Sequence, residues 1–244
     1  MRISRIYTDQ TLQTGDEISL DTASSRYLVS VLRLSVGAPI ILFNGQGGEF
    51  HAKLQHCQAK KVTVSIESYD DTERESPLNT HLAIGISRGD RMDWIVQKAT
   101  ELGVTHITPI LTERTEVKLK GDRGDKKLRH WQQIAVSTCE QCQRNRIPQI
   151  DSPISLAEFL AQDIDALKLV LHHRSEQSLA ELGRETVSSV VLLVGPEGGL
   201  SETEIDSALI SGYQALTIGP RVLRTETAPL TALTLCQSLW GDFF

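Results

Sequence analysis

Beyond about residue 80, apolar runs of strand length alternate with stretches of helical periodicity. The runs lie at 82–86 (LAIGI), 106–110 (HITPI), 169–171 (LVL), 190–194 (VVLLV) and 216–218 (LTI). Met92, Ile95, Val96, Ala99 and Leu102 fall on one helical stripe, which stops at Gly103. Leu128, Trp131, Ala135 and Cys142 mark a longer helix. Strands alternating with helices predict an α/β domain whose parallel sheet is covered on both faces.

The first 70 residues follow a different rhythm. Runs at 40–43 (IILF) and 50–54 (FHAKL) flank NGQGG, a hairpin signal because Asn-Gly accepts positive φ cheaply. Residues 62–66 (VTVSI) alternate as a half-buried strand does. A helix opens after Asp21 and runs through Tyr27, Leu28, Val31 and Leu32. Short strands with one helix predict a small β-barrel. The stretch YDDTERESP, Tyr69 to Pro77, is charged and ends in proline. It reads as a linker and divides the chain into a barrel (1–70), a connection (71–79) and an α/β domain (80–244).

Composition narrows this only modestly. Of 244 residues, 40% are hydrophobic and 23% charged, which suits a globular protein. No apolar run approaches the roughly 20 residues needed to span a bilayer. MRISRIYTDQ has no apolar core of a secretory signal. A reduced, cytoplasmic protein with its four cysteines free is the simplest expectation. Cys139 and Cys142 form CEQC inside a helix, with no second pair at zinc spacing, so no metal is expected. A net charge of −6 leaves any nucleic-acid surface to a local patch. Residues 114–146 supply one, with nine Lys or Arg against four Asp or Glu.

Candidate chemistry centres on LLVGPEGGLSETEI, residues 192–205. Gly195, Gly198 and Gly199 free the backbone and clear space. Ser201 and Glu204 form a capping box, with Leu200 and Ile205 as its hydrophobic staple. A helix start favours anions, yet Glu197, Glu202 and Glu204 crowd this one and no lysine follows the glycines. The P-loop and dinucleotide fingerprints are absent. The loop fits a neutral or cationic ligand such as S-adenosylmethionine, or serves only as a tight strand–helix turn. A second loop, GPRVLRTETAP at 219–229, is longer than a strand–helix connection needs.

The two motifs in order, LLVGPEGGLSETEI and then IGPRVLRTETAPLTAL, resemble the C-terminal signature of the RsmE family. SRGDRMDWIVQKATELGVTHITPILTERTEVKL (87–119), WQQIAVSTCEQCQRNRIP (131–148) and VLRLSVGAPIILFNGQGGEFHAKL (31–54) extend the resemblance over nearly the whole chain. One departure is SRGD at 87–90, where many members place lysine before Gly-Asp or Gly-Glu; Arg88 keeps the charge.

The resemblance implies a PUA-like, RNA-binding β-barrel followed by a SPOUT methyltransferase domain with a C-terminal trefoil knot. It implies methylation of N3 of a uridine in small-subunit (16S) ribosomal RNA, with S-adenosylmethionine as methyl donor, by a homodimer. Rival readings are a non-catalytic ribosome-assembly factor and a SPOUT enzyme acting on transfer RNA or 23S ribosomal RNA. By the same resemblance the cofactor contacts are Leu171, His172, Gly195, Pro196, Glu197, Gly198, Gly199, Ile218, Gly219, Val222, Leu223 and Thr225.

Uridine N3–H is a weak acid, so its methylation calls for a base and for stabilisation of charge on O2 or O4. Glu226 and Arg224 are the preferred pair, with Arg88, Glu197 and Arg221 in reserve. RNA contacts are expected from Arg88, Lys118, Lys120, Arg123, Lys126, Lys127 and Arg129, extended onto the barrel by Arg5, Arg26 and Arg33. The last helix is apolar around most of its circumference, which also points to a symmetric partner.

Overall fold

A computed structural model of the chain describes residues 3–117, 122–172, 175 and 186–243. They divide into two compact units, Met1–Glu75 with Cys139–Ile147, and Ser76–Thr138 with Pro148–Phe244.

The first unit is built on β1 (Ser4–Tyr7), β2 (Glu17–Ser19), β3 (Pro39–Phe43), β4 (Glu49–Gln58) and β5 (Lys61–Asp70). The sheet order is β1-β3-β4-β5-β2, parallel between β1 and β3 and antiparallel elsewhere. Two register shifts in the β4–β5 ladder bend that long hairpin, as bulges do. Alternate residues Ile40, Leu42, Ala52, Leu54, Val62, Val64 and Ile66 turn inward to one core. Helix α1 (Thr22–Arg26) closes it and continues into a π-helical turn, Tyr27–Val31, that buries Leu28. The Asp21 carboxylate caps α1 by accepting from the Ala23 and Ser24 amides. The helix stands where the sequence places it.

The second unit has β6 (Asn79–Gly85), α2 (Arg91–Glu101), β7 (His106–Leu111), α3 (Asp122–Cys142), β8 (Gln149–Ile150), β9 (Ile154–Ser155), α4 (Leu156–Leu160), β10 (Leu167–Leu171), β11 (Ser189–Val194), α5 (Glu202–Ile210), β12 (Gln214–Leu216) and α6 (Thr227–Trp240). The sheet runs β12-β10-β11-β6-β7-β8, with β9 also on β7, and every pairing is parallel. The central strand β11 is apolar on both faces from Val190 to Val194. Ala83, Ile110, Val170, Val191 and Leu193 pack beneath Phe159 of α4 and Ile205 and Ala208 of α5. The alternate residues Leu82, Ile84, Val190 and Leu192 are fully buried on the other face, where α6 lies on β11 and β6 with α2 beside it. No described helix is long and apolar enough to cross a membrane.

A buried glutamine and a half-buried histidine cluster have structural partners. Gln237 of α6 donates to the Leu102 carbonyl (3.1 Å) and accepts from the Ser76 hydroxyl (2.6 Å). His81 and His106, adjacent in register on β6 and β7, stack at 3.9 Å. Asp151 accepts from His106 (2.6 Å) and from the Thr108 hydroxyl (2.7 Å), and Thr108 in turn meets His81 Nε2 (2.7 Å). Although these groups cluster at ligand-like distances, near-parallel rings aim their in-plane lone pairs side by side rather than at one cation. The cluster is a hydrogen-bond network tying strand ends. Cys139 is buried, and both the neighbouring Cys142 thiol and burial push its own thiol up.

Candidate active site

Parallel strands deliver all their following loops to one edge of the sheet, where ligands of open α/β sheets bind. Here a cavity of about 720 Å³ opens at that edge. Its wall is formed by Leu171 and His172 at the end of β10, residues 194–200 at the end of β11, and residues 216–218, 221–226 and 228 at and beyond the end of β12. Arg91 after β6 and Arg114 after β7 complete it. Each of the expected cofactor contacts lines the cavity except Gly219, and so do Arg221, Arg224 and Glu226.

The glycine loop is shaped by steric necessity. The Gly199 amide donates to the Pro196 carbonyl (2.8 Å), closing a turn that sets Gly199 at φ +68°. A Cβ on Gly195 would stand 2.7 Å from the Leu200 nitrogen, so a side chain there would break the turn itself. A Cβ on Gly198 would press on the Arg114 side chain at 3.1 Å. The turn then enters α5 through the expected capping box, with Ser201 Oγ accepting from the Glu204 amide (3.2 Å) and Glu204 accepting from the Ser201 amide (2.8 Å).

The charges differ from the local reading of the motif. Glu204 is buried and also accepts from the Glu113 amide (2.8 Å), so it faces away from any ligand. Glu197 accepts from the Arg88 amide and from Arg91 Nη1, both at 2.9 Å. Burial opposes ionisation of Glu197, but hydrogen bonds from the Arg88 amide, its own amide and Arg91 hold its carboxyl below the usual range. Arg114 Nη1 donates to the carbonyls of Gly198 (2.7 Å) and Leu200 (3.2 Å). The loop carries no cation of its own, yet the cavity has four arginines, at 91, 114, 221 and 224. An excess of acid therefore does not define the site.

Arg224 and Glu226 both line the cavity, but they are not an ion pair. Glu226 lies 3.8 Å from Arg91 Nε, and no ion pair to Arg224 occurs among the described residues. Thr225 joins the two loops through a hydrogen bond to the Gly195 carbonyl (3.2 Å). Arg91 is outside the set of candidates that the sequence offers, and Arg114 belongs there to the basic segment. Neither carries a local signal. Both follow from the strand order, since β6 neighbours β11 and β7 neighbours β6.

The expected RNA contacts divide. Arg123, Lys126 and Arg129 are exposed on α3 and Lys127 is half-buried; Arg26, Arg33 and Arg88 are exposed. Arg88 pairs with Glu116. Lys118 and Lys120 lie outside the described residues. Arg5 requires correction as a phosphate contact: it is 6% exposed, ion-paired with Glu49 and bonded to Asn145 Oδ1 (2.6 Å). The patch is also smaller than its sequence count, because Arg144 pairs with Glu75 and Arg146 with Glu73.

Comparison with known proteins decides the family. Residues 74–237 match the model of an RNA methyltransferase domain, and residues 20–67 that of an RNA methyltransferase PUA domain. The chain is 35% identical over 242 residues to ribosomal RNA small subunit methyltransferase E of Buchnera aphidicola, covering 99% of this chain and 98% of the relative. It belongs to the ribosomal RNA small subunit methyltransferase E family. The Bacillus subtilis member is 32% identical, with 93% of this chain and 92% of the relative covered. The crystal structure of the family member from Neisseria gonorrhoeae bound to S-adenosyl methionine superposes with TM-score 0.93 at 39% identity, covering both chains fully. The fold is accordingly the family's, a PUA-like barrel followed by a SPOUT-type α/β domain.

Proposed function

We propose that this protein methylates N3 of a specific uridine in 16S ribosomal RNA of the small ribosomal subunit, using S-adenosylmethionine. The observation that carries the reading is the cavity at the carboxyl edge of the sheet, where two loops of the family signature meet. The residues present fit that cofactor. Leu171, Leu216, Ile218 and Leu223 give apolar wall for an adenine, and arginines beside Glu197 and Glu226 suit a zwitterionic amino-acid tail. When bound, S-adenosylmethionine supplies an electrophilic methyl group.

The chain's own contribution is to prepare the acceptor. Glu226 accepts the proton of uridine N3, and the guanidinium of Arg224, which has no ion-pair partner among the described residues, stabilises the charge that develops on O2 or O4. Arg221 and Arg88 stand in reserve as cations for the same anion. Exposed Arg123, Lys126 and Arg129, with half-buried Lys127, hold phosphates, and Arg26 and Arg33 contribute from the barrel of residues 1–70. The enzyme acts in the cytoplasm as a homodimer, and its C-terminal loops form the family's knot.

Mass mapping of 16S RNA from a deletion strain, with and without this gene restored, tests the reading. One methylated uridine should appear only with the gene. Its absence, together with failure of the purified protein to methylate small subunits, would reject the proposal.

A further inference from the structure

We infer that Arg91 is a positioning residue that clasps the two cofactor loops together; the inference rests on the cofactor reading above. Arg91 opens α2 directly after the β6 loop. Its Nη1 donates to Glu197 of the glycine loop at 2.9 Å, and its Nε stands 3.8 Å from Glu226 at the end of the second loop. One planar guanidinium thus spans two carboxylates from segments far apart in sequence. Without it, Glu197 and Glu226 would be like charges lining one cavity and would lose the cation they share.

Helix economy does not explain the placement. A cation in the first turn of a helix opposes the helix dipole, which favours acidic residues there. The Arg88 amide donates to the same Glu197 oxygen, so this segment grips the glycine loop at two points. Thr225 adds a third tie, from the second loop to the Gly195 carbonyl. Arg91 is the member of this set that reaches both loops with one side chain.

Calorimetry with S-adenosylhomocysteine, and hydrogen exchange of loop amides without ligand, test the clasp on wild type, Arg91→Ala, Arg91→Lys, Glu197→Gln and the Arg91→Ala/Glu197→Gln double variant. All three partners are partly exposed, so solvent screens them, and Arg91→Ala should weaken binding only about tenfold. Lysine, a point charge, should restore less than half of the loss. Exchange at Gly198–Leu200 and at Arg224–Thr227 should rise together, and the double variant should lose less than the sum of the singles. Unchanged affinity and unchanged exchange in Arg91→Ala would overturn the clasp. Failure of the wild type to bind S-adenosylhomocysteine would instead overturn the cofactor reading, and loop exchange would still decide the clasp.

Discussion

Gly85, the last residue of β6, lies against Pro196 of the glycine loop so closely that a Cβ on Gly85 would come within 2.4 Å of the proline ring and nitrogen. The loop owes its position to the missing side chain as much as to its own glycines. Gly85→Ala should therefore push residues 195–199 outward. Overpacking of this kind costs about 1–3 kcal/mol, so the melting temperature should fall and S-adenosylhomocysteine affinity should drop with it. Calorimetry and thermal denaturation would show both losses. Wild-type affinity would mean that the loop shifts freely.

Arg224 has no ion-pair partner among the described residues although it lines the cavity. A cation that meets charge only in the transition state affects turnover more than binding. Arg224→Ala should reduce kcat by about 10²–10³-fold while S-adenosylhomocysteine affinity stays within about twofold. A large loss of affinity with normal kcat would make Arg224 a cofactor ligand instead.

Burial, and next the neighbouring His106, push the His81 imidazole down to about 4, against an ordinary value of 6.5. Between these values the unfolded chain takes up a proton that the folded chain refuses. Stability is therefore complete above pH 6.5 and falls as pH drops toward 4, by up to about 3 kcal/mol. Asp151 is held below the ordinary carboxylate range despite burial, by Thr108, Gln149 and His106. Its contribution is lost at still lower pH, in the same direction. Urea denaturation from pH 7.5 to 4.5 should show a flatter decline in His81→Gln than in wild type. Parallel curves would assign the acid limb to other groups.

On the last helix, Leu235 and Leu239 are exposed, whereas Leu233 is fully buried within the chain. A charge at Leu233 would destroy the core of the unit and report nothing about assembly. Glutamate at Leu235 and Leu239 is the informative change. Sedimentation at low micromolar concentration should give a dimer for wild type and a 27.0 kDa monomer for the variant. A wild-type monomer with full methylation activity would end the dimer proposal.

Charge reversal at Lys126, Lys127 and Arg129 should weaken RNA binding and make its salt dependence shallower, by about one unit of slope for each phosphate no longer neutralised. Arg5→Ala provides the contrast. It removes one partner of a buried ion pair, so it should cost about 3–5 kcal/mol of stability and leave the salt slope unchanged. Filter binding across roughly 50–300 mM salt, with denaturation of each variant, separates phosphate binding from structural charge. Equal salt slopes for the triple variant and wild type would remove the α3 patch from the RNA surface.

Much of the architecture is legible in the sequence because its signals are local. The capping box at Ser201 and Glu204, the cap at Asp21, the stripe through Met92 and Val96, and the apolar run of β11 are each written within a few residues. The strands that escape notice are short: β1, β2, β8 and β9 have two to four residues, too few for a period to show. The second loop stands out by its length, and nearly all of its expected contacts reach the cavity. Arg91 and Arg114 escape because they enter it through the lateral order of strands, which periodicity does not encode. Arg5 misleads for the same reason: its partners Glu49 and Asn145 are 44 and 140 positions away.

Helix α3 begins in the second unit, and its final residues, Cys139 to Cys142, belong to the first. The segment that follows carries Arg144, which meets Glu75, and Asn145, which binds Arg5 and the Thr72 carbonyl. During synthesis the barrel strands leave the ribosome well before these partners exist. Completion of the amino-terminal unit must therefore wait until β6, α2, β7 and all of α3 have been made. A chain of this design departs from the usual order in which an amino-terminal domain folds as a finished unit ahead of the next. Nascent chains halted near residue 80 should be protease-sensitive through the barrel, and those extended past Ile147 and clear of the exit tunnel should be protected.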